Sequence, residues 1–130
     1  EISPRMMRDL SKLSELRPGL IPVLGDARKP TVISPYLRDK VDWIHQDISV
    51  AEQTKTFLKI SDIFLKPEGI GLLSLKAASE RWIEGGDDSR FKEAEELINS
   101  NMNLILLENI DISHFESQHR IFVVQKISDS

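Results

Sequence analysis

The sequence predicts an α/β fold whose sheet is mostly parallel and ends in an antiparallel strand. Apolar runs typical of strands alternate with segments of helical periodicity, and such alternation is typical of parallel sheets. Three of the apolar runs end close to a polar residue, namely Asp26, Asp47 and Lys76. Ligands of open α/β sheets bind just beyond the carboxyl ends of parallel strands. The pattern therefore favours an enzyme with a nucleotide-like ligand and a proton-transfer step.

The first half of the chain contains clear helix and strand signals. Ser3-Pro4 is typical of an N-cap followed by proline at the first helical position, and Arg17-Pro18-Gly19 ends that helix. A turn at 25–30 then separates two apolar runs, and the second of these carries Trp43 and His45 on one face, where we expect both side chains in the core. The elements predicted up to this point are a helix from Pro4, a strand at 20–24 and a strand at 41–45.

The second half continues the alternation and then departs from it. Lys66-Pro-Glu-Gly69 predicts a turn, because proline fixes φ and glycine accepts a positive φ. We expect Trp82 to cap a helix or a loop. The final two strands are joined without room for a helix, so we expect them to pair antiparallel. The elements predicted here are helix 51–65, strand 70–75, a polar loop containing 85–88, helix 89–100 and strands 103–108 and 120–126.

Composition limits the classes of protein that fit. The 130 residues suit a single domain, 1–130. A net charge of −4 argues against a chain that grips nucleic acid by itself, because phosphate contacts need clustered Lys and Arg. The chain has no cysteine, which excludes disulfides and favours an intracellular setting. No apolar run reaches the roughly 20 residues that span a bilayer, and we expect no membrane association.

Several segments together resemble fibrillarin and its archaeal fibrillarin-like forms. The order and spacing of the segments make the resemblance specific over 1 to about 126. They are Glu1-Ile-Ser-Pro-Arg-Met-Met-Arg-Asp-Leu10, Ile21-Pro-Val-Leu-Gly-Asp-Ala27, Val41-Asp-Trp-Ile-His-Gln-Asp47 with Gln53, Leu73-Ser-Leu-Lys-Ala77, and Phe115-Glu116 with His119. The resemblance implies a Rossmann-like class I methyltransferase fold and transfer of methyl from S-adenosyl-L-methionine to ribose 2′-hydroxyls of rRNA or tRNA.

The resemblance also implies roles for individual residues. Asp47, Lys76 and His119 match catalytic members of a Lys-Asp-Lys-His set. Glu1 matches an acceptor for the cofactor's ribose hydroxyls, and Asp26 matches an acceptor for the adenine amine. The other implied cofactor contacts are Ile2 and Ala27, and the segment Asp47-Ile48-Ser49-Val50, which matches the segment under the methionine end of the cofactor. No metal is implied.

The implied partners are those of a guided ribonucleoprotein. They comprise a box C/D-type guide RNA, the target RNA, a Nop-type scaffold protein and a kink-turn-binding protein. The implied location is the cytoplasm for an archaeal-like member and the nucleolus for a eukaryotic one.

The chain departs from the family pattern in three places. Ser49-Val50-Ala51 stands where the family usually has Ala-Gln-Pro, and His114-Phe-Glu-Ser-Gln-His119 stands where it has Pro-Tyr-Glu-Arg-Asp-His. The second departure puts the role of Glu116 in question more than that of His119. The family's glycine-rich cofactor loop, first catalytic lysine and first strands would precede Glu1, so we expect the 130-residue stretch to be inactive by itself.

Alternatives remain for both the residues and the function. Lys76 is also compatible with a solvated loop lysine, and Asp26 with an Asx-turn. His114 and His119 lack the i, i+4 spacing of a helical zinc pair. The alternative functions are a non-catalytic methyltransferase-like binding module within a complex, and a methyltransferase acting on a protein or small molecule.

Overall fold

A computed structural model describes residues 1–77 and 86–128. It divides into two compact units, Glu1–Arg38 and Asp39–Ser130, which are described separately here. Trp82 lies outside the described residues, as does the first part of the predicted loop around 85–88. No helix in the described ranges is both long and apolar enough to cross a bilayer.

The first unit begins with the predicted helix. Helix α1 spans Pro4–Leu16, with Ser3 as its N-cap and proline at its start. The Ser3 hydroxyl accepts a hydrogen bond of 3.3 Å from the Met6 N–H, which satisfies one of the unpaired donors of the first turn. The chain leaves the helix at Arg17, and Gly19 takes a positive φ of 89°. The predicted start and end of this helix are therefore confirmed.

The predicted strand at 20–24 is not a regular strand. The segment is extended, and its backbone hydrogen-bonds to Glu1: the Glu1 amino group donates to the Val23 carbonyl at 3.0 Å, and the Gly25 N–H donates to the Glu1 carbonyl at 2.9 Å. A strand needs a ladder of such bonds, and one residue supplies only a single rung. Two short elements that the sequence did not predict follow, helix α2 at Pro30–Ile33 and a 3₁₀ turn at Ser34–Tyr36.

The second unit is built on a four-stranded mixed sheet. Its strands are β1 Val41–Gln46, β2 Leu65–Lys76, β3 Leu104–Asp111 and β4 His119–Lys126. The spatial order is β1-β2-β4-β3, with β1 and β2 parallel and β4 antiparallel to both of its neighbours. Strand β3 therefore runs in the direction of β1 and β2. The predicted fold class, a mostly parallel sheet with an antiparallel last strand, is confirmed.

Two helices cover one face of this sheet. Helix α3 spans Gln53–Phe64 and helix α4 spans Gly86–Ser100, so α4 begins before the predicted position 89. The core forms where their apolar sides meet the strands. Its buried members are Phe57, Leu73, Leu75, Ala77, Phe91, Ala94, Ile98, Leu104, Phe122 and Val124.

The predicted turn at 66–69 lies inside strand β2 as a bulge. Val41 pairs with Leu65 and Trp43 pairs with Ile70, so β2 uses three more residues than β1 over this interval. Glu68 has the positive φ of 70°, in place of the glycine that was expected to take it. A Cβ on Gly69 would lie 2.8 Å from the Lys66 carbonyl oxygen, so glycine is needed for close backbone approach.

Trp43 and His45 were wrongly expected in the core. Trp43 is 58% exposed, and His45 is also exposed. In β1 they pair with Ile70 and Leu72, whereas Ile44 pairs with Gly71, whose face packs on Phe57 of α3. Trp43 and His45 therefore lie on the sheet face opposite the two helices of this unit.

Candidate functional site

The three predicted catalytic residues lie at one edge of the sheet in the second unit. Asp47 directly follows β1, Lys76 is the last residue of β2, and His119 is the first residue of β4. Strands β1 and β2 are parallel and β4 is antiparallel to β2, so two carboxyl ends and one amino end meet there. The alternation of strands thus brings together residues that are distant in sequence, as the sequence predicts.

Lys76 and His119 also share a face of the sheet. They are direct partners in the β2–β4 pairing, and Ser74, two residues before Lys76, pairs with Ile121. Leu73 and Leu75 alternate with them and point to the helix side, where they are buried. The side chains of Lys76 and His119 therefore lie on the face that α3 and α4 leave open. Among the described residues, neither Lys76 nor Asp47 forms an ion pair.

The hydrogen bonds of His119 indicate which ring nitrogen carries a proton. Its Nδ1 lies 2.9 Å from the carbonyl oxygen of Ser117 and 3.6 Å from a carboxylate oxygen of Glu116. A carbonyl oxygen only accepts, so Nδ1 is the donor, and Nε2 is the acceptor in the neutral ring. Glu116, which is 66% exposed, thus contacts the same ring nitrogen as the loop carbonyl. Glu116 therefore lies beside the His119 imidazole.

Gln53 and Gln46 are two further polar residues at this edge, and the sequence alone assigns no role to either of them. The Gln53 side chain is fully buried and hydrogen-bonds to the Lys76 backbone through both of its amide atoms. Gln46, directly before Asp47, donates from Nε2 to the Gln53 carbonyl at 2.9 Å. A signal was present in the sequence: Gln53 occupies the same helical stripe as Phe57, Ile60 and Phe64.

A second polar pair lies on the open face. The Nε2 atom of His45 is 3.0 Å from the hydroxyl oxygen of Ser74, and the rings of His45 and Trp43 are 5.8 Å apart. His45 and Ser74 precede Asp47 and Lys76 by two residues on their respective strands. This pair therefore lies on the same face of the sheet as Lys76 and His119, and Ser74 itself is buried.

The predicted contacts at 48–50 lie in the loop between β1 and α3. Ile48 and Val50 are partly buried, and Ser49 is exposed. The loop ends at Glu52, which has a left-handed φ of 56° and precedes the first residue of α3. The departures from the family's Ala-Gln-Pro pattern thus fall in the segment that connects Asp47 to Gln53.

The first unit contains the four remaining predicted cofactor residues. The Glu1 carboxylate is exposed, and its Oε1 accepts a hydrogen bond of 2.8 Å from the Ser3 N–H. Ile2 is 66% exposed next to it. Glu1 also forms the single backbone rung with Val23 and Gly25. Glu1 and Ile2 therefore stand at one end of an extended segment, with side chains that solvent can reach.

Asp26 binds Arg28 through both carboxylate oxygens. Oδ1 accepts from the Arg28 N–H at 2.9 Å, which is the Asx-turn, and Oδ2 forms an ion pair of 2.7 Å with the guanidinium. These hydrogen bonds lower the pKa of Asp26 to about 2. The side chain of Arg28 is 50% exposed, whereas that of Asp26 is 18% exposed. Ala27, the remaining predicted contact, is exposed beside them.

Within residues 1–77 and 86–128, no group of three or more His, Asp or Glu side chains is arranged to hold a metal ion. The chemistry available at the sheet edge is that of a carboxylate, an ammonium and an imidazole. Those groups can accept a proton, stabilise an oxyanion and orient a hydroxyl.

A comparison with protein-family models identifies the family of the chain. The model described as Fibrillarin matches residues 1–128. The chain belongs to the fibrillarin family. The resemblance noted in the sequence is confirmed.

Individual relatives support the same family. The fibrillarin-like rRNA/tRNA 2′-O-methyltransferase of Thermococcus gammatolerans is 34% identical over 126 residues, which is 97% of this chain and 54% of the relative. A solved fibrillarin/Nop5p complex matches with a TM-score of 0.87 and 25% identity, over 98% of this chain and 59% of its own. Aeropyrum pernix fibrillarin, solved with natively bound S-adenosyl-L-methionine, matches with a TM-score of 0.75 and 26% identity, over 95% of this chain and 53% of its own.

These matches bear on only part of each relative. The fibrillarin-family chain spans about half the length of the curated relatives it matches. The solved structures nevertheless match nearly all of the backbone of this chain. The class I methyltransferase fold is therefore shown for the sheet and helices that are present.

Proposed function

We propose that the protein containing this chain transfers methyl from S-adenosyl-L-methionine to ribose 2′-hydroxyls of rRNA or tRNA. The observation that carries the proposal is the common sheet edge of Asp47, Lys76 and His119. A carboxylate, an ammonium and an imidazole at the ends of three strands suit deprotonation of a weakly acidic hydroxyl. The names of the curated relatives support the same reaction.

Each of the three side chains has a role in moving the hydroxyl proton. The Asp47 carboxylate orients the 2′-hydroxyl and accepts its proton, while the Lys76 ammonium stabilises the negative charge that develops on that oxygen. His119, fixed through Nδ1 to the Ser117 carbonyl, offers Nε2 as a further hydrogen-bond acceptor on the same face. Positioning contributes much of the rate, because a well-oriented intramolecular reaction avoids most of the entropic cost of encounter.

The polar groups of the first unit fit the nucleoside portion of the cofactor. A carboxylate can accept about four hydrogen bonds, and Oε1 of Glu1 accepts one from Ser3, which leaves capacity for two ribose hydroxyls. Ile2 and Ala27 offer exposed apolar surface for the adenine. In the second unit, Asp47, Ile48, Ser49 and Val50 are the residues that the family resemblance assigns to the methionine portion. When bound, S-adenosyl-L-methionine supplies a methyl group already activated by its sulfonium.

Asp26 is most accessible to the adenine amine when the Arg28 side chain moves away, because three donors of Arg28 occupy most of the roughly four acceptor positions of its carboxylate. Its two oxygens already accept from the backbone N–H, Nε and Nη2 of Arg28. The Arg28 side chain is 50% exposed, so there is solvent beside it into which it can move. We infer that the Arg28 guanidinium bonds to the same Asp26 oxygens that accept from the adenine amine. The guanidinium moves away from these oxygens when the cofactor binds.

The proposed partners are those of a guided ribonucleoprotein. A Nop-type scaffold protein is supported by the solved fibrillarin/Nop5p complex. A box C/D-type guide RNA and a kink-turn-binding protein complete the proposal, because a chain with a net charge of −4 needs other molecules to hold the target RNA. The proposed location is the cytoplasm of an archaeal-like cell, or the nucleolus of a eukaryotic one.

Single-turnover methylation by the assembled complex tests the proposal. The full-length protein, scaffold, kink-turn-binding protein and guide RNA are combined with labelled cofactor and a target RNA. The matched control RNA carries a 2′-deoxy nucleotide at the target position. Label on the ribose target alone supports the proposal. Cofactor binding without transfer favours the non-catalytic module, and label on protein favours the other methyltransferase alternative.

A further inference from the structure

The backbone of Lys76 turns its hydrogen-bonding groups away from β4. The Ala77 N–H donates to the Gln118 carbonyl at 3.0 Å, which makes Lys76 and His119 a pair without hydrogen bonds between them. The Lys76 N–H and C=O therefore point towards the β1 side of β2. Strand β1 ends at Gln46, which pairs with Leu73, so it stops short of Lys76.

The Gln53 side chain takes the place of the absent strand. Its Nε2 donates to the Lys76 carbonyl at 3.0 Å, and its Oε1 accepts from the Lys76 N–H at 3.3 Å. We call these two hydrogen bonds the Gln53 bridge. They satisfy both backbone groups of Lys76, and they come from a side chain that is fully buried at the first residue of α3. A buried amide that forms both bonds fixes its partner in one orientation.

The same residue also fixes the strand that leads to Asp47. The Gln53 carbonyl accepts from Nε2 of Gln46 at 2.9 Å, and Gln46 is itself buried. Gln46 is covalently joined to Asp47. Gln53 therefore connects the ends of β1 and β2 at the two residues that carry the proposed carboxylate and ammonium.

We propose that Gln53 is a positioning residue for the methyl-transfer site, setting the distance between Asp47 and Lys76 through the Gln53 bridge and through Gln46. The inference rests on the proposed function. It adds a residue that contacts neither the substrate nor the cofactor and acts through the backbone of Lys76.

Gln53→Met removes both hydrogen bonds while keeping side-chain length and burial. In the assembled complex at saturating cofactor, we expect kcat to fall by about tenfold or more, because small misplacements of catalytic groups are costly. The KM for the cofactor should stay within about twofold, because the altered term is the chemical step. Hydrogen exchange should speed up at the Lys76 amide and stay slow at Val124, in the centre of the sheet.

Gln125→Met is the matched control. Gln125 also donates a side-chain amide to a β2 carbonyl, that of Glu68 at 3.1 Å, but it does so at the opposite end of the strand. Its replacement should leave kcat unchanged. An equal fall in kcat for both variants would show a general effect on the sheet and would overturn the proposal.

Gln53→Glu provides a conservative rescue. The neutral carboxyl can donate to the Lys76 carbonyl and accept from its N–H, whereas the ionised form only accepts. Burial raises the pKa of such a carboxyl. The kcat of Gln53→Glu, relative to that of the wild type, should therefore increase as the pH falls. The ratio of the Gln53→Met kcat to the wild-type kcat should not change with pH. This arm also covers the case in which Gln53→Met does not fold.

The outcomes separate the positioning role from the function itself. Wild-type kcat in Gln53→Met, or a flat pH ratio for Gln53→Glu, overturns the positioning role and leaves methyl transfer intact. Absence of methyl transfer by the wild-type complex overturns the function. Hydrogen exchange at the Lys76 amide then still reports whether the Gln53 bridge forms in solution.

Discussion

Lys76 and His119 stand directly opposite each other across β2 and β4, with their backbone groups turned apart. In antiparallel sheets, pairs of this kind bring their side chains closer than the hydrogen-bonded pairs do. The ammonium and the imidazole are therefore neighbours, although they are 43 positions apart in sequence. Each can be replaced without changing the backbone bonds between the two strands, so their roles can be tested separately.

Lys76→Ala should abolish methyl transfer with little effect on stability. Lys76 ends its strand on the open face, so we expect the free energy of unfolding to change by less than about 1 kcal/mol. Loss of a positioned proton-transfer group should lower the single-turnover rate by about 10²–10⁴-fold. Lys76→Arg should not restore the rate, because a planar guanidinium does not reproduce a compact ammonium.

Lys66→Ala is the control for the loss of a lysine from β2. Lys66 lies in the bulge at the other end of the strand, where its Nζ is 3.6 Å from a carboxylate oxygen of Asp42. The single-turnover rate of Lys66→Ala should equal that of the wild type. Near-normal methylation by Lys76→Ala would show that Lys76 is not a catalytic residue.

Asp26 and Arg28 should have opposite effects on cofactor affinity. Asp26→Ala should weaken binding of S-adenosyl-L-methionine, because it removes the carboxylate that accepts from the adenine amine. Arg28→Ala should maintain or strengthen binding, because it frees the carboxylate oxygens that the guanidinium occupies. Calorimetric titration of the full-length protein measures both. Weaker binding in Arg28→Ala would contradict displacement of Arg28 by the adenine.

Acid should break the bond between Asp26 and Arg28. The pKa of Asp26 is lowered from 3.8 to about 2, so its ionised form is favoured in the folded chain. The stabilisation is fully present above the unfolded value of 3.8 and is lost as the pH falls through about 2. In Arg28→Ala the pKa should rise towards 3.8, while the backbone N–H of residue 28 still lowers it in part. NMR titration of the carboxyl carbon checks this, and an unchanged pKa would exclude the side chain as the main cause.

Gly71→Ala should destabilise the sheet through overpacking. A Cβ at this position would lie 2.9 Å from Cζ of Phe57 and 3.1 Å from Cγ2 of Val124. Both neighbours are fully buried, so we expect a loss of about 1–3 kcal/mol in the free energy of unfolding. Urea denaturation measures it. Combined with Phe57→Leu, the substitution should cost less than the sum of the two changes, because the smaller side chain makes room.

The sequence predicts the residues of this sheet edge well, because the order and direction of the strands alone determine which residues meet there. Parallel strands that alternate with helices bring their carboxyl ends together, so Asp47 and Lys76 could be paired without coordinates. The role of Gln53 could not be predicted in the same way, since it depends on β1 ending opposite Leu73 and on one side chain reaching the Lys76 backbone. The position of Gln53 in the apolar stripe of α3 indicates a buried polar side chain, but the sequence does not identify its hydrogen-bond partner.

The errors have equally specific physical causes. The extended segment at 20–24 has strand composition, yet among the described residues its backbone bonds only to Arg17, through the turn after α1, and to Glu1. The turn signal at 66–69 was real, but pairing on both sides absorbed it into β2 as a bulge. Trp43 and His45 have the apolar alternation of a half-buried strand, and the helices of the unit cover the other face.

The bulge in β2 has a consequence for how this protein can change over evolution. Pairing is regular from Ile70 onwards, to β1 as far as Leu73 and to β4 as far as Lys76, whereas the irregularity is confined to the residues before Ile70. Insertions or deletions near Pro67 can therefore be taken up locally without shifting the register of Lys76. Changes of length near Pro67 should be tolerated as long as Gly69 is kept, while a single-residue insertion between Ile70 and Lys76 would turn the lysine to the opposite face of the sheet.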